Sequence, residues 1–213
     1  AAVVRLLEST LARVGSASYA RENGSYGLTT IRKKHVELGD DEVTFEFEGK
    51  GGQEWQVQSD DDRIVDIVRQ CAEIPGYELF KYLEPDGTRR DVESGHVNEY
   101  LREISGEPVT AKDFRTWAGT VLSAEKLAAT PFGSEREAQK NIVATVRSVA
   151  DTLGNTPTVC RQSYVHPLVF RSYLEGVLPQ YFDRRSSELS EAPDGLRAGE
   201  KSTWLLLRDN RAA

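Results

Sequence analysis

The segment from Val43 to Val57 constrains the fold more than any other part of the chain. Val43, Phe45 and Phe47 alternate with Thr44, Glu46 and Glu48, which is the period of a strand with one buried face. Trp55 and Val57 resume the alternation after Gly49-Lys50-Gly51-Gly52, so the segment reads as a β-hairpin whose glycine-rich tip carries Lys50. Leu28 to Arg32 reads as a further strand and Gly39-Asp40-Asp41 as a turn. Together these predict a small three-stranded antiparallel sheet.

The remaining apolar pattern is helical. Val4, Leu7, Leu11 and Val14 recur at three- and four-residue spacing and predict a helix over residues 1–22, closed by Asn23-Gly24. Asp60-Asp61-Asp62 supplies negative charge at the start of a helix reaching Glu73. Pro85-Asp86-Gly87 is a turn. Ser94 caps a helix to Ile104, and Thr110 caps the next, which carries Phe114, Trp117, Val121 and Leu122. Ser134 with Glu137 forms a capping box for a helix to Leu153, and Gly154-Asn155-Thr156-Pro157 breaks it. A short helix follows, then one from His166-Pro167 to Leu178. Residues 179–213 read as a charged C-terminal tail that includes Trp204-Leu205-Leu206-Leu207. The predicted class is α+β, mainly α.

Charge narrows the function. With 27 Lys+Arg against 34 Asp+Glu the net charge is −7, which speaks against a broad nonspecific grip on nucleic acid. The charge is uneven: residues 60–110 hold 6 basic and 13 acidic side chains, whereas residues 111–172 hold 8 basic and 5 acidic ones. A local anion site is therefore compatible with the acidic total. No run approaches the roughly 18 apolar residues of a membrane span, and no secretory signal is seen. The two cysteines, Cys71 and Cys160, read as buried small side chains in a reducing compartment. The chain starts at Ala1 and contains no Met, so a trimmed piece of something longer is expected.

Several chemistries find no support. Gly49-Lys50-Gly51-Gly52 leads into a strand, not into a helix, and no phosphate loop for ATP is present. His35, His96 and His166 stand far apart in sequence and in no ligand motif, so no zinc site is expected. What remains is a set of cations and one tyrosine. Phosphoryl transfer without a metal needs positive donors around the phosphate, a proton donor for the leaving oxygen and a nucleophile. Arg grips phosphate oxygens with its planar fork, and Lys gives up a proton readily when neighbouring cations disfavour the ammonium form. Arg13, Lys50, Arg115 and Tyr164 are candidate parts. By residue type alone a lone Arg or Lys is usually a solvated surface charge and a Tyr before a helix usually half-core, so the residues by themselves carry no more than a candidate phosphate site.

The words around these residues carry more. Leu11-Ala12-Arg13-Val14-Gly15, with Tyr19 and Ser25-Tyr26-Gly27-Leu28-Thr29-Thr30, resembles the first-arginine motif of type IB DNA topoisomerases, specifically the small poxvirus-like bacterial enzymes. Phe45 to Gly51 resembles the hairpin that carries the family's lysine, and Val109 to Trp117 its second-arginine helix. Leu153 to Pro157 followed by Ser163-Tyr164-Val165-His166-Pro167 resembles the block that ends in the nucleophile. The four blocks follow the family's order, and the resemblance covers roughly Val4 to Leu178.

The resemblance implies a helical catalytic domain over residues 1–178, a fold shared with tyrosine recombinases. It implies Arg13, Lys50, Arg115, Asn155 and Tyr164 as catalytic residues, with Tyr19 and Lys112 contacting DNA. Many relatives carry His where Asn155 stands; Asn donates a hydrogen bond but does not titrate. The implied reaction relaxes supercoils through a 3′-phosphotyrosyl bond and needs no cofactor, ATP or metal. The implied partner is double-stranded DNA, met by a monomer acting on the nucleoid in the cytoplasm and not at a membrane. The family's separate N-terminal clamp domain is expected to be absent, since only 12 residues precede Arg13. His166 reads as a first-turn helix residue beside Pro167, capping or facing solvent, and not as the base for Tyr164, while Trp55 and Trp117 read as core.

Two other readings compete. A tyrosine recombinase would share the Arg, Lys, Arg, Tyr set, but recombinases usually carry His two residues before the second arginine, where this chain has Asp113. A DNA-binding fragment without turnover is the alternative from outside the enzymes.

Overall fold

The computed structural model describes residues 1–183 and 189–210. The chain divides into two units, Ala1–Phe114 and Arg115–Ala213. It is mainly helical, with a three-stranded antiparallel sheet and a two-stranded one.

In the first unit, β1 (Val36–Leu38), β2 (Val43–Gly49) and β3 (Gln53–Ser59) form the larger sheet in that order. The hairpin register sets Phe45 opposite Val57 and Phe47 opposite Trp55. Val43, Phe45 and Phe47 are buried while Glu46 and Glu48 are exposed, as the alternation requires. Phe47 and half-buried Trp55 lie nearly parallel with ring centroids 6.4 Å apart. The apolar face joins Leu6 and Leu7 of α1 (Ala2–Thr10), Ile31, Val68 of α3 (Asp62–Glu73) and Leu79 in one core. The Asp61 carboxylate caps α3 by accepting from the Arg63 amide at 3.0 Å.

The structure corrects the sequence reading at three places here. The helix expected over residues 1–22 is two helices, α1 and α2 (Ala17–Asn23), because Leu11 turns left-handed at φ 57° and ends the first. The strand expected over Leu28 to Arg32 is a 3₁₀ turn, Leu28–Thr30, and β1 supplies the third strand. Both corrections have one cause. The Leu28 and Thr29 amides donate to the carbonyls of Arg13 and Val14 at 2.8 and 2.7 Å, so tertiary pairing takes groups that a strand would use. Third, the Pro85-Asp86-Gly87 turn joins two short strands, β4 (Lys81–Leu83) and β5 (Arg89–Asp91). Each has three residues, too few to show an alternation.

Helix α4 (Ser94–Ser105) starts one residue before its expected start, with Glu93 at the cap position; the Glu93 amide donates to Nδ1 of His96. Helix α5 (Ala111–Ala128) begins in the first unit. The Asp113 carboxylate accepts from both the amide and the hydroxyl of Thr110, at 2.8 and 2.7 Å, and closes its first turn.

The second unit is helical. α6 (Glu135–Leu153) is capped by Ser134, whose hydroxyl accepts from the Glu137 amide. It is followed by α7 (Pro157–Ser163), α8 (Pro167–Leu174), α9 (Leu178–Phe182) and α10 (Ala198–Asp209). α8 stops at Leu174, short of Leu178, where the chain turns through Gly176 at φ 71°. Leu127, Ile142, Leu153, Tyr173 and Leu205 are fully buried. The Tyr173 hydroxyl donates to the Thr130 carbonyl at 2.7 Å and accepts from Asn141, so its polar end is satisfied. Within residues 179–213, α10 buries Leu205 and Leu206, and its Glu200 accepts from the half-buried indole of Trp117 at 3.2 Å. Within that tail, residues 184–188 and 211–213 lie outside the described residues. Among the described residues no helix is long and apolar enough to cross a membrane.

Candidate active site

The first-arginine motif, split in the sequence, is one structural feature. The Arg13 carbonyl accepts from Leu28, and the Val14 carbonyl accepts from the amide and hydroxyl of Thr29, at 2.7 and 2.8 Å. Gly27 makes this approach: a Cβ there would stand 2.6 Å from the Arg13 carbonyl oxygen. The segment after α1 is thus held to residues 27–30, and the half-buried Arg13 side chain leaves from a fixed backbone.

Tyr19 stands on α2 with its side chain partly exposed, and Lys50 stands exposed at the tip of the β2–β3 hairpin. The Lys50 ammonium lies 5.3 Å from the centroid of the Tyr19 ring, within reach of a cation–π contact. Lys112 is exposed on the first turn of α5. Of the first-unit candidates, Tyr19 and Lys50 are in contact; Arg13 lies on the segment after α1 and Lys112 on α5.

The second unit gathers the other three. Arg115 is 3% exposed, its guanidinium carbon lies 5.3 Å from the centroid of the Tyr164 ring, and its Nη2 donates to the Leu153 carbonyl. Leu153 is the last residue of α6. Gly154 follows at φ 58° and the Asn155 amide turns back to the Ala150 carbonyl at 2.9 Å, a left-handed helix end that glycine adopts without strain. So the carbonyl that holds Arg115 sits two residues before Asn155, and one helix terminus fixes both. Tyr164 ends α7, where its amide donates to the Cys160 carbonyl at 3.0 Å. Burial pushes the Cys160 thiol up from its ordinary value, against the opposing charge of Arg115.

His166 does what its place before Pro167 predicts. Its Nδ1 accepts from the Leu168 amide at 3.2 Å and caps α8. Two residues that the sequence reading passed over also touch the segment around Tyr164. Gly119 and Thr120 lie one turn after Arg115 on α5, the first in contact with Tyr164 and the second hydrogen-bonded to the His166 amide. No local pattern signals them, since their partners lie 45 and 46 positions along the chain. Among the described residues no group of three or more His, Cys, Asp or Glu side chains is placed to hold a metal ion.

Comparison with known proteins shows the family to which the chain belongs. The family model described as the catalytic core of eukaryotic DNA topoisomerase I matches residues 1–177. A DNA topoisomerase 1B of Acanthamoeba polyphaga mimivirus is 32% identical over 179 residues, covering 80% of this chain and 52% of that protein. The DNA topoisomerase I of monkeypox virus and the DNA topoisomerase 1B of vaccinia virus (strain Copenhagen) are each 23% identical over 195 residues, covering 85% of this chain and 58% of theirs. All three relatives are viral, and the chain spans between half and three-fifths of their length. The chain belongs to the type IB DNA topoisomerase family, in its poxvirus-like branch.

Proposed function

We propose that the chain relaxes supercoiled double-stranded DNA by cutting and rejoining one strand through Tyr164. The observation that carries this reading is the second-unit cluster: a buried guanidinium over the Tyr164 ring, anchored on the helix end that presents Asn155.

In this reading the phenolic oxygen of Tyr164 attacks a backbone phosphorus and the bond from phosphorus to the 5′ oxygen breaks. The product is a 3′-phosphotyrosyl ester and a free 5′ hydroxyl. Arg13, Arg115 and Asn155 hold the non-bridging oxygens as negative charge grows on them. Lys50 gives its proton to the leaving 5′ oxygen. The phenolic proton leaves to water, because Asn155 does not titrate and the Nδ1 of His166 is occupied by its cap. The ester retains the energy of the broken bond, so rejoining is the same step reversed and needs no ATP. Guanidinium and ammonium groups supply the positive charge that a metal ion supplies in other phosphoryl transfers. Tyr19 and Lys112 contact the duplex. A monomeric state, action on the nucleoid in the cytoplasm and a bacterial source belong to the same proposal; the last rests on the motif wording alone.

An N-terminal clamp domain outside this chain is part of the proposal too, as residues 1–178 are read as the catalytic domain and the matched relatives are longer. Phosphate neutralisation dominates DNA affinity, and this chain carries net charge −7. The test is relaxation of positively and negatively supercoiled plasmid in EDTA without ATP, over a salt titration. Relaxation of both signs at low salt, slow and distributive and lost steeply as salt rises, is expected. Binding without relaxation at any salt would make the chain a DNA-binding module; processive relaxation at physiological salt would show that it holds a full DNA grip alone.

A further inference from the structure

We propose that Gly119 and Thr120 of α5 are the positioning residues for the nucleophile: Gly119 seats the Tyr164 main chain and Thr120 clamps it by its hydroxyl. The inference rests on the reading of Tyr164 as the nucleophile.

A Cβ added at Gly119 would stand 2.5 Å from the Tyr164 carbonyl oxygen, 3.2 Å from the Tyr164 Cβ and 3.2 Å from Cδ1 of Leu153. The first of these is closer than a real Cβ approaches backbone, so the corner after α7 reaches α5 only because residue 119 has no side chain. Thr120 comes next and is 3% exposed. Its hydroxyl oxygen accepts from the His166 amide at 3.1 Å. The hydroxyl also lies within donating distance of the Thr116 carbonyl, at 2.8 Å, and of the Tyr164 carbonyl, at 3.4 Å. Val165, between the two clamped residues, is buried. The corner from Tyr164 to His166 is thus fixed to α5 from both sides.

Arg115 precedes Gly119 by four residues on the same helix, so the two lie on one face. The guanidinium over the Tyr164 ring and the seat beneath its main chain are therefore set by a single turn of α5. The same turn thus sets both the main chain that carries the Tyr164 ring and the arginine whose guanidinium carbon lies 5.3 Å from that ring's centroid. A misplacement of about 1 Å in a reacting group can cost about a hundredfold in rate. The clamp accordingly acts on the rate of cleavage and not on the grip on DNA.

The test measures single-turnover cleavage of a suicide duplex at saturating protein, together with duplex affinity and Tm, for Thr120→Val, Thr120→Ser and Gly119→Ala. Thr120→Val keeps the shape and removes the acceptor; its cleavage rate falls about 10- to 100-fold with affinity unchanged. Thr120→Ser keeps the hydroxyl and recovers most of the rate, and Gly119→Ala is slow like Thr120→Val. The pH dependence keeps its shape in all three, because no titrating group is lost. A Thr120→Val protein that melts lower yet cleaves like the parent would overturn the inference, as would a serine variant as slow as the valine one. If Thr120→Val does not fold, a folded Gly119→Ala protein cleaving at the parent rate overturns it equally. Failure of the parent chain to form any adduct on Tyr164 would instead sink the function on which the inference rests.

Discussion

Lys50 and Tyr164 are held in opposite ways. In the first unit, Lys50 stands beyond the last paired residues of the hairpin, Gly49 and Gln53, on a tip with Gly51 and Gly52 at φ 80° and 74°, and it rests over the ring of Tyr19. In the second unit, Tyr164 is fixed from Cys160, from Gly119 and, through the His166 amide, from Thr120, with Arg115 over its ring. One candidate group leaves from a two-stranded arm, the other from a packed corner among helices. The difference matches the two tasks proposed for them. A nucleophile gains most from a geometry set in advance. A proton donor is needed only as the leaving oxygen separates, and a resting place outside the packed frame costs it little.

The comparison can be broken by exchanging what each group depends on. Lys50→Ala removes the proton donor, and cleavage of ordinary DNA is expected to slow by about 10²- to 10⁴-fold. A substrate with a bridging 5′ sulfur, whose thiolate leaves without a proton, should restore most of that rate. Equal slowing on both substrates, at equal binding, would reassign Lys50 to charge stabilisation and remove the contrast between the two groups. The smallest effect is expected at His166. His166→Ala removes the α8 cap and lowers Tm, with loss of about 1 kcal/mol of stability, while the cleavage rate and its pH dependence stay near the parent's. A pH-dependent collapse of the rate in this variant would make His166 a base and put a titrating group beside Tyr164.

The hairpin was legible because its alternation is strict over seven residues and its tip is spelled in glycines. The cap at Ser134 was legible because a short polar acceptor three residues before a glutamate at a helix start has one local use. The break at Leu11 was not. Val4, Leu7, Leu11 and Val14 satisfy a helical period, and only the carbonyls of Arg13 and Val14, taken by Leu28 and Thr29, decide otherwise. The same long-range pairing hides the 3₁₀ turn at Leu28–Thr30. At the site, residue types and motif order pointed to Arg13, Lys50, Arg115, Asn155 and Tyr164. Gly119 and Thr120 escaped notice because their part is defined by contacts 45 and 46 positions along the chain, which no local pattern announces.

The central claim is that Tyr164 becomes covalently joined to the 3′ side of a cut DNA strand. The most direct measurement traps the adduct on a suicide duplex in EDTA, digests the protein and finds the peptide that carries the nucleotide. The account predicts a 3′-linked nucleotide on the peptide containing Tyr164, and no adduct from Tyr164→Phe at unchanged duplex affinity. A 5′ linkage, attachment at another residue, or an adduct that survives Tyr164→Phe would contradict it.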